Sequence, residues 1–236
     1  MHARSRSSRE PVSLPCLPCC GRDSSAPTPA RRCISQSNLP RDGFSMPHRI
    51  ARHTVLSEIT PFSKKTGDLL VVIETPRGNR NKYKYDPECD CMQLSTVLPE
   101  GMIFPYDFGF IPSTLGDDGD ALDVLILMDT AVVPGCVVRA RLIGAIEAEQ
   151  KEKGEAWTRN DRFVAIATHA QTHDKARNLA GLRPHLLKEI KEFFVSYNKL
   201  RKRKFRPRHD ASTRKAHELL EEGMKKFNKS HRRKTH

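Results

Sequence analysis

The sequence of 236 residues contains no run of eighteen or more apolar residues, and a membrane-spanning helix needs about that length. We therefore expect no membrane contact. Aromatic residues are also scarce, at 6% of the chain, with one tryptophan and four tyrosines. Proteins that bind single-stranded nucleic acid stack its bases on such side chains, so the composition gives that function little support.

A zinc site and a disulfide framework are both unsupported by the seven cysteines. Cys16, Cys19 and Cys20 cluster near the start, but a second pair at a regular distance is missing. An odd number of cysteines, spread over a low-complexity segment and a folded region, is not typical of a secreted disulfide scaffold either. We therefore expect a reducing, cytoplasmic location.

Acidic residues are outnumbered by basic ones, 28 to 41, which gives a formal net charge of +13. This charge favours anionic partners, either nucleic acid or phosphorylated small molecules. The basic residues concentrate at 199–208 and 225–235. A solvated basic surface is the simpler interpretation of both runs, so nucleic acid is a partner that we consider without favouring it.

Residues 1–55 are rich in Ser, Pro and Arg and lack hydrophobic periodicity, so we predict a disordered basic tail. The composition resembles an organelle transit peptide. We favour a plain tail, or a true start at Met46, over targeting. The folded domain is predicted at 56–228, followed by a short basic tail at 229–236.

Hydrophobic patterns predict an α+β domain with a barrel-like sheet. A polar hairpin tip is expected at 147–160. Three- and four-residue steps between Leu186 and Tyr197 predict an amphipathic helix whose first turn contains Pro184, and Asp210 is predicted to cap a last helix. Apolar or alternating runs predict strands at 69–73, 82–85, 124–128, 136–146 and 162–167.

One acidic segment runs against the basic character of the chain. Residues 104–123, FPYDFGFIPSTLGDDGDALD, end in Asp117, Asp118, Asp120 and Asp123. The glycine at position 119 permits a sharp turn that brings carboxylates together. Carboxylate oxygens suit hard cations such as Mg²⁺, and a carboxylate that is not fully committed to metal can accept a proton from water. The simpler alternative is an exposed Asx-rich turn.

The stretch from about Leu69 to Met128 resembles the soluble family I inorganic pyrophosphatases. The resemblance is carried by VVIET, NKYKYD, FPYDFGFIPSTLGDDGDALDVLIL and PGCVVRARLIGAI, and more weakly by KEFFVSYNKL. It implies a five-stranded OB-type β-barrel with flanking α-helices. It also implies Mg²⁺-dependent hydrolysis of inorganic pyrophosphate to two phosphates, and it favours a homo-oligomer.

The resemblance implies a role for each of seven residues. Asp120 would be the general base, and Lys82, Arg162 and Tyr197 would contact phosphate oxygens. Alternatives stay open, because Lys82 can be a surface charge, Arg162 can pair with an acid, and Tyr197 can pack on the helix face. The metal would be held by Asp118, Asp120, Asp123 and Glu74.

The sequence also departs from the family pattern. The second acidic segment of the family falls at Gln150 and Asn160, although Glu147, Glu149 or Asp161 could supply a carboxylate instead. These departures leave two alternative functions: hydrolysis of another phosphoanhydride or a phosphate ester, or a catalytically weakened paralogue that binds nucleic acid through its basic surface. Other family positions that differ are occupied by Lys84, Thr96, Phe104, Phe108, Arg162 and Asn198.

Overall fold

The computed structural model describes residues 55–234, so the predictions for the amino-terminal tail, its cysteines and Met46 lie outside the described residues. Two short 3-10 turns, Leu56–Glu58 and Leu179–Gly181, accompany the longer elements. In chain order the strands and helices are β1 Leu69–Thr75, β2 Asn81–Asp86, β3 Cys91–Val97, β4 Asp107–Ile111, β5 Leu122–Leu127, β6 Val137–Lys151, β7 Thr158–Arg159, β8 Arg162–Ala167, α1 Leu186–Leu200, β9 Lys204–Ala211 and α2 Thr213–Lys234.

Five strands close into a ring in the order β1, β4, β5, β8 and β6, because β6 pairs with β1 as well as with β8. All neighbours in this ring are antiparallel except β5 and β8, which are parallel. The strands β7 and β9 extend the sheet from β6, and β2 and β3 form a separate hairpin. The α+β class and the five-stranded barrel with flanking helices are therefore confirmed.

Apolar runs form the barrel strands because both faces of these strands are covered. All six residues of β8 are buried, and so are four of the six in β5. The predicted strands at 69–73, 124–128 and 162–167 correspond to β1, β5 and β8. Continuous burial of this kind is expected where a strand has core on one side and helices or a hairpin on the other.

The helix α1 places its apolar face on the barrel, as its residue spacing predicts. Leu186, Ile190, Phe194 and Tyr197 are buried, and the Phe194 ring lies 5.9 Å from that of Phe108. The helix begins at Leu186, two residues after Pro184. Neither helix of the part that the structure describes is long and apolar enough to cross a membrane.

The prediction that Asp210 caps the last helix is wrong. Asp210 lies in β9, where its carboxylate accepts a hydrogen bond from Lys191 at 2.8 Å. The cap of α2 is Ser212, whose Oγ accepts from the amide of Lys215 at 3.3 Å. The helix then continues to Lys234, beyond the boundary that we predicted for the folded domain at residue 228.

The strands β3, β4 and β9 were missed by the sequence patterns, and β6 continues to Lys151, through the first five residues of the predicted hairpin tip. In β9 only Phe205 and Ala211 are buried, so its charged sequence shows no regular alternation of apolar and polar residues. In β3 none of the seven side chains is fully buried. The strands β3 and β9 are held by backbone pairing with β2 and β6, and side-chain periodicity gives little sign of such pairing.

The contact between β1 and β4 depends on Gly109. A Cβ at this position would lie 2.0 Å from the backbone oxygen of Val72. We expect Gly109→Ala to lower the free energy of unfolding by about 3 kcal/mol, because backbone atoms cannot move aside as a side chain can. Urea unfolding followed by circular dichroism measures this change.

The matched control is Gly154→Ala, at a loop glycine where an added Cβ would meet no atom within 4 Å. Its positive φ of 88° makes alanine unfavourable by about 1 kcal/mol. Equal losses in the two variants would contradict the close approach of β1 and β4.

Candidate active site

The acidic loop lies between β4 and β5, and a tight turn shapes it. The amide of Gly116 donates to the carbonyl of Asp120 at 2.7 Å. The amide of Asp120 donates to Asp118 Oδ1 at 3.2 Å. The turn passes through Gly119, whose φ of 86° is in the left-handed region that glycine adopts most easily. The predicted sharp turn at this glycine is therefore confirmed.

The pKa of Asp118 is raised by its surroundings. Partial desolvation of the carboxyl group, followed by the nearby Asp123 carboxylate, raises the pKa of Asp118 to about 6, although the residue as a whole is exposed. The charge of Arg162 acts in the opposite direction and is too weak to cancel this rise. The negative charge of the loop is thus incompletely balanced by the protein itself.

Arg162 is the main cation against Asp123. The parallel register of β5 and β8 sets Val124 opposite Phe163, so the residues before them are neighbours. Arg162 Nη1 lies 2.6 Å from Asp123 Oδ2. The guanidinium is only 4% exposed and lies over the rings of Phe194 and Phe205, at 5.0 and 5.2 Å. Arg162 thus pairs with an acid, the alternative that the sequence left open.

The same Nη1 atom donates to the Asp161 carbonyl at 3.0 Å and to the Asn160 side-chain oxygen. Arg162 Nε is buried without a hydrogen-bond partner in the described part of the chain. Arg162 is therefore held firmly on one side and keeps one unused donor on the other.

Glu74 enters the site from β1. The side chain is 6% exposed, and its Oε1 accepts from the amide of Tyr85 at 2.9 Å. Burial raises the pKa of Glu74, Lys82 lowers it, and the Asp123 carboxylate adds to the rise. Lys82 Nζ lies 3.6 Å from Glu74 Oε2 and 4.9 Å from the ring centre of Phe108. Lys82 is thus a largely enclosed cation beside Glu74 and not a free surface charge.

A second lysine of β2 reaches the acidic loop itself. Lys84 Nζ lies 2.9 Å from both carboxylate oxygens of Asp120. Partial burial lowers the pKa of Lys84, but the hydrogen bond and the charge of Asp120 outweigh it, so this pKa lies above its ordinary value. Residues two apart on a strand share a face, and β2 therefore presents both Lys82 and Lys84 to the acidic side chains.

Tyr197 belongs to an aromatic cluster beneath the site. Its ring lies 5.7 Å from that of Phe104 and 5.9 Å from that of Phe193. The side chain is buried, and its hydroxyl accepts a hydrogen bond from Arg201. Phe104 is fully buried as well and is part of the hydrophobic core.

The carboxylates of the second segment are each paired with an arginine. Glu147 and Asp161 contact Arg159 at 3.0 and 2.8 Å, and Glu149 contacts Arg208 at 2.7 Å. Burial raises the pKa of Asp161. The Asn160 amide lies 3.4 Å from the Gln150 oxygen that faces it.

A cleft beside the acidic loop joins three parts of the chain. Its walls include Asp118 from the loop and Asp123 from the start of β5, Asn160 and Asp161 before β8, and Lys226 from α2. Lys226 forms an ion pair with Asp117 across a separation of 109 residues. The sequence pattern did not indicate this contact, because no local spacing links a helix lysine to a distant loop.

The acidic side chains fit a hard divalent cation in their chemistry. Their donor atoms are all oxygen, and partial burial and the charge of Asp123 make the ionised form of Asp118 less favourable, which a bound cation would offset. Within residues 55–234, no three Asp, Glu, His or Cys side chains already converge as a metal cluster. The ion pairs of Asp123 with Arg162 and of Asp120 with Lys84 hold these carboxylates instead.

Comparison with known proteins agrees with this fold. The family model described as inorganic pyrophosphatase matches residues 71–228, so the chain belongs to the inorganic pyrophosphatase family. The chain is similar to the inorganic pyrophosphatase of Synechocystis sp., at 38% identity over 61% of this chain and 82% of the relative. The enzyme of Thermus thermophilus is 37% identical over 57% of this chain and 74% of the relative.

Solved structures show the same likeness. The crystal structure of inorganic pyrophosphatase from Thermus thermophilus superposes with a TM-score of 0.67 at 30% identity, over 74% of this chain and 99% of that one. The Helicobacter pylori enzyme gives a TM-score of 0.63 at 30% identity, over 68% and 94% of the two chains. The strands that carry the site thus belong to a fold shared with these enzymes.

Asp118 makes folding depend on pH. Its pKa rises on folding from 3.8 to about 6, so the folded protein binds more protons here than the unfolded chain between those values. The stability that the protein gains from binding this proton is fully present below about pH 4 and is lost as the pH rises through about 6. We expect Asp118→Asn to be more stable than the unmodified protein above pH 6, by about 1 kcal/mol after solvent screening. Urea unfolding at about pH 4 and about pH 7.5, with a chelator present, measures the difference.

Asp129→Asn is the matched control, and its expected effect on stability at neutral pH has the opposite sign. The amide of Gln171, followed by the hydroxyl and the amide of Thr172, lowers the pKa of Asp129 to about 2. This carboxylate stabilises the fold above its unfolded pKa, and that stability is lost as the pH falls through about 2. Asp129→Asn should therefore lower stability at neutral pH. An Asp118→Asn variant that is equally or less stable at about pH 7.5 would contradict the charge crowding.

The pair of Arg162 and Asp123 predicts strong coupling. We expect Arg162→Met and Asp123→Asn each to destabilise the protein, because each leaves one charge or donor group without its partner. The double variant should recover about 2 kcal/mol relative to the sum of the two. Chemical unfolding of the four proteins gives this double-mutant cycle.

The more exposed pair of Lys191 and Asp210, with Nζ and Oδ1 2.8 Å apart, is the control cycle. Its coupling should stay below about 1 kcal/mol. A coupling at Arg162 and Asp123 no larger than that of the control pair would refute their role as the central ion pair.

Proposed function

We propose that this chain hydrolyses inorganic pyrophosphate to two phosphates with Mg²⁺. The observation that carries the proposal is the cleft lined by Asp118, Asp123 and Asp161 beside the loop that also contains Asp120. Partial burial, followed by the charge of Asp123, raises the pKa of Asp118 there to about 6. In a member of the inorganic pyrophosphatase family, such a site is suited to cations that neutralise a highly charged substrate.

Asp118, Asp120, Asp123 and Glu74 are the residues that would hold Mg²⁺, which when bound would lower the pKa of water and offset charge on the phosphate oxygens. The oxygen of the attacking water forms a new bond to one phosphorus, and Asp120 accepts the proton that this water loses. The bond from that phosphorus to the bridging oxygen breaks, and the second phosphate leaves. Lys84, 2.9 Å from the Asp120 oxygens, orients this carboxylate.

Three cationic or hydroxyl groups are proposed to contact the phosphates. Lys82 is the best supported, because its nearest carboxylate oxygen is 3.6 Å away and its ammonium group keeps donors for a ligand. Arg162 would bind phosphate through a donor that Asp123 leaves unused. Tyr197 would have to give up the hydrogen bond from Arg201 to reach the substrate.

Pyrophosphate is preferred over the other substrates that the sequence allowed. The added lysine at position 84 is engaged with Asp120 and gives no separate contact for a larger phosphoanhydride or phosphate ester. Nucleic-acid binding is also less favoured, because Arg203 and Arg208 of the basic run are paired with Glu152 and Glu149.

A homo-oligomer and a cytoplasmic location remain parts of the proposal. Leu94 and Val97 of β3 are 56% and 53% exposed, and Ile103 nearby is 48% exposed. Exposed apolar side chains of this size favour contact with another protein surface. Size-exclusion chromatography with light scattering should give a mass above that of one chain.

The central test is release of phosphate from pyrophosphate by the full-length protein, with and without Mg²⁺. We expect turnover that requires the metal. Asp120→Asn should lower kcat by roughly a hundred- to ten-thousand-fold, because the base is lost while the fold remains. A malachite-green assay measures the phosphate, and circular dichroism verifies folding.

Asp117→Asn is the matched control, because Asp117 precedes the proposed ligands and pairs with Lys226 at the rim of the cleft. Its activity should stay close to that of the unmodified protein. Folded protein without Mg²⁺-dependent release would overturn the proposal, and preferred cleavage of nucleotides or polyphosphate in the same assay would replace the substrate.

A further inference from the structure

Two exposed cysteines face each other at the hairpin turn that joins β2 and β3. The sulfur atoms of Cys89 and Cys91 are 2.8 Å apart. Both residues are free thiols in this structure. The residue between them, Asp90, has a φ of 47°, in the left-handed region that turns the chain sharply. The turn therefore sets the two thiols side by side.

The turn is fixed to the rest of the fold through Asp90. Its Oδ1 accepts from the hydroxyl of Tyr85 at 2.6 Å and from the amide of Leu56 at 3.3 Å. Cys91 itself pairs with Asp86 across the hairpin. Because the backbone on both sides is anchored, the approach of the sulfurs is built into the hairpin.

The contact between the two thiols affects the acidity of Cys91. The hydrogen bond with Cys89 raises the pKa of Cys91, and partial desolvation adds to the rise. Two thiols held side by side are the arrangement in which one sulfur is oxidised and the other resolves the product.

We propose that Cys89 and Cys91 are a peroxide-sensitive pair that closes to a reversible intramolecular disulfide. The Cys89 thiolate attacks hydrogen peroxide, the O–O bond breaks, and a sulfenic acid and hydroxide form. The sulfur of Cys91 then attacks the sulfenic sulfur, an S–S bond forms, and water leaves as the Cys91 proton is released. In sum, two thiols and one peroxide give one disulfide and two waters.

The geometry supports closure and also reversal. A disulfide has a sulfur separation of about 2.05 Å, so the thiols need to approach by only about 0.8 Å from their present distance. Exposed disulfides have more oxidising potentials than buried structural ones, and a dithiol should therefore reopen this bond. The pair lies on the hairpin that carries Lys84, but its chemistry does not depend on pyrophosphate hydrolysis.

The test treats reduced full-length protein with hydrogen peroxide, alkylates the remaining thiols and digests with a protease that cuts after glutamate. Cleavage after Glu88 and Glu100 isolates a peptide with Cys89 and Cys91 and without Cys136. We expect this peptide to lose the mass of two hydrogens and to escape alkylation. Dithiothreitol should restore both thiols. The half-buried Cys136 should remain reduced after peroxide and should therefore be alkylated in every sample.

Single variants separate a pair from two independent cysteines. In Cys91→Ser the mass loss should vanish, and a sulfenic acid at Cys89 should be trapped by dimedone. In Cys89→Ser the mass loss should vanish as well. Three results would overturn the proposal. The first is direct conversion of both residues to sulfinic acids, and the second is a disulfide from either residue to another cysteine. The third is that both thiols stay reduced while Cys136 is oxidised.

Discussion

The gathering of carboxylates in the acidic loop and at the start of β5 is the constraint on which the site depends. Partial burial, followed by the charge of Asp123, raises the pKa of Asp118 to about 6. The chain offsets part of this charge with its own cations, Arg162 at 2.6 Å from Asp123 and Lys84 at 2.9 Å from Asp120. In the proposed function, additional cations would balance the remaining negative charge, because like charges close together are unfavourable unless they are balanced.

The barrel creates this arrangement through strand register more than through the loop itself. The parallel pairing of β5 with β8 brings Asp123 beside Arg162, and the burial of Glu74 at the end of β1 brings a further carboxylate toward Asp123. The aromatic rings of Phe194 and Phe205 then hold the guanidinium in place from below. The core that stabilises the fold therefore also positions the charges.

Sequence reasoning succeeded where a short motif contains its own geometry. The glycine turn at 119 and the apolar runs of β1, β5 and β8 are local features, and the resemblance gave the barrel. It failed for β9, where charged residues hide a strand held by backbone pairing, and for the cap at Asp210, which Ser212 provides. Ion pairs such as Asp117 with Lys226 join distant parts of the chain, and local spacing carries no information on them.

Calorimetric titration of Mg²⁺ into the protein and into Asp118→Asn measures whether these carboxylates bind the ion. We expect the unmodified protein to bind Mg²⁺ and, below about pH 6, to release protons from Asp118 on binding. The variant should bind more weakly and without this release. Buffers of different ionisation enthalpy reveal the proton release. Equal binding by the two proteins, or no binding at all, would contradict the claim that these carboxylates form the cation site.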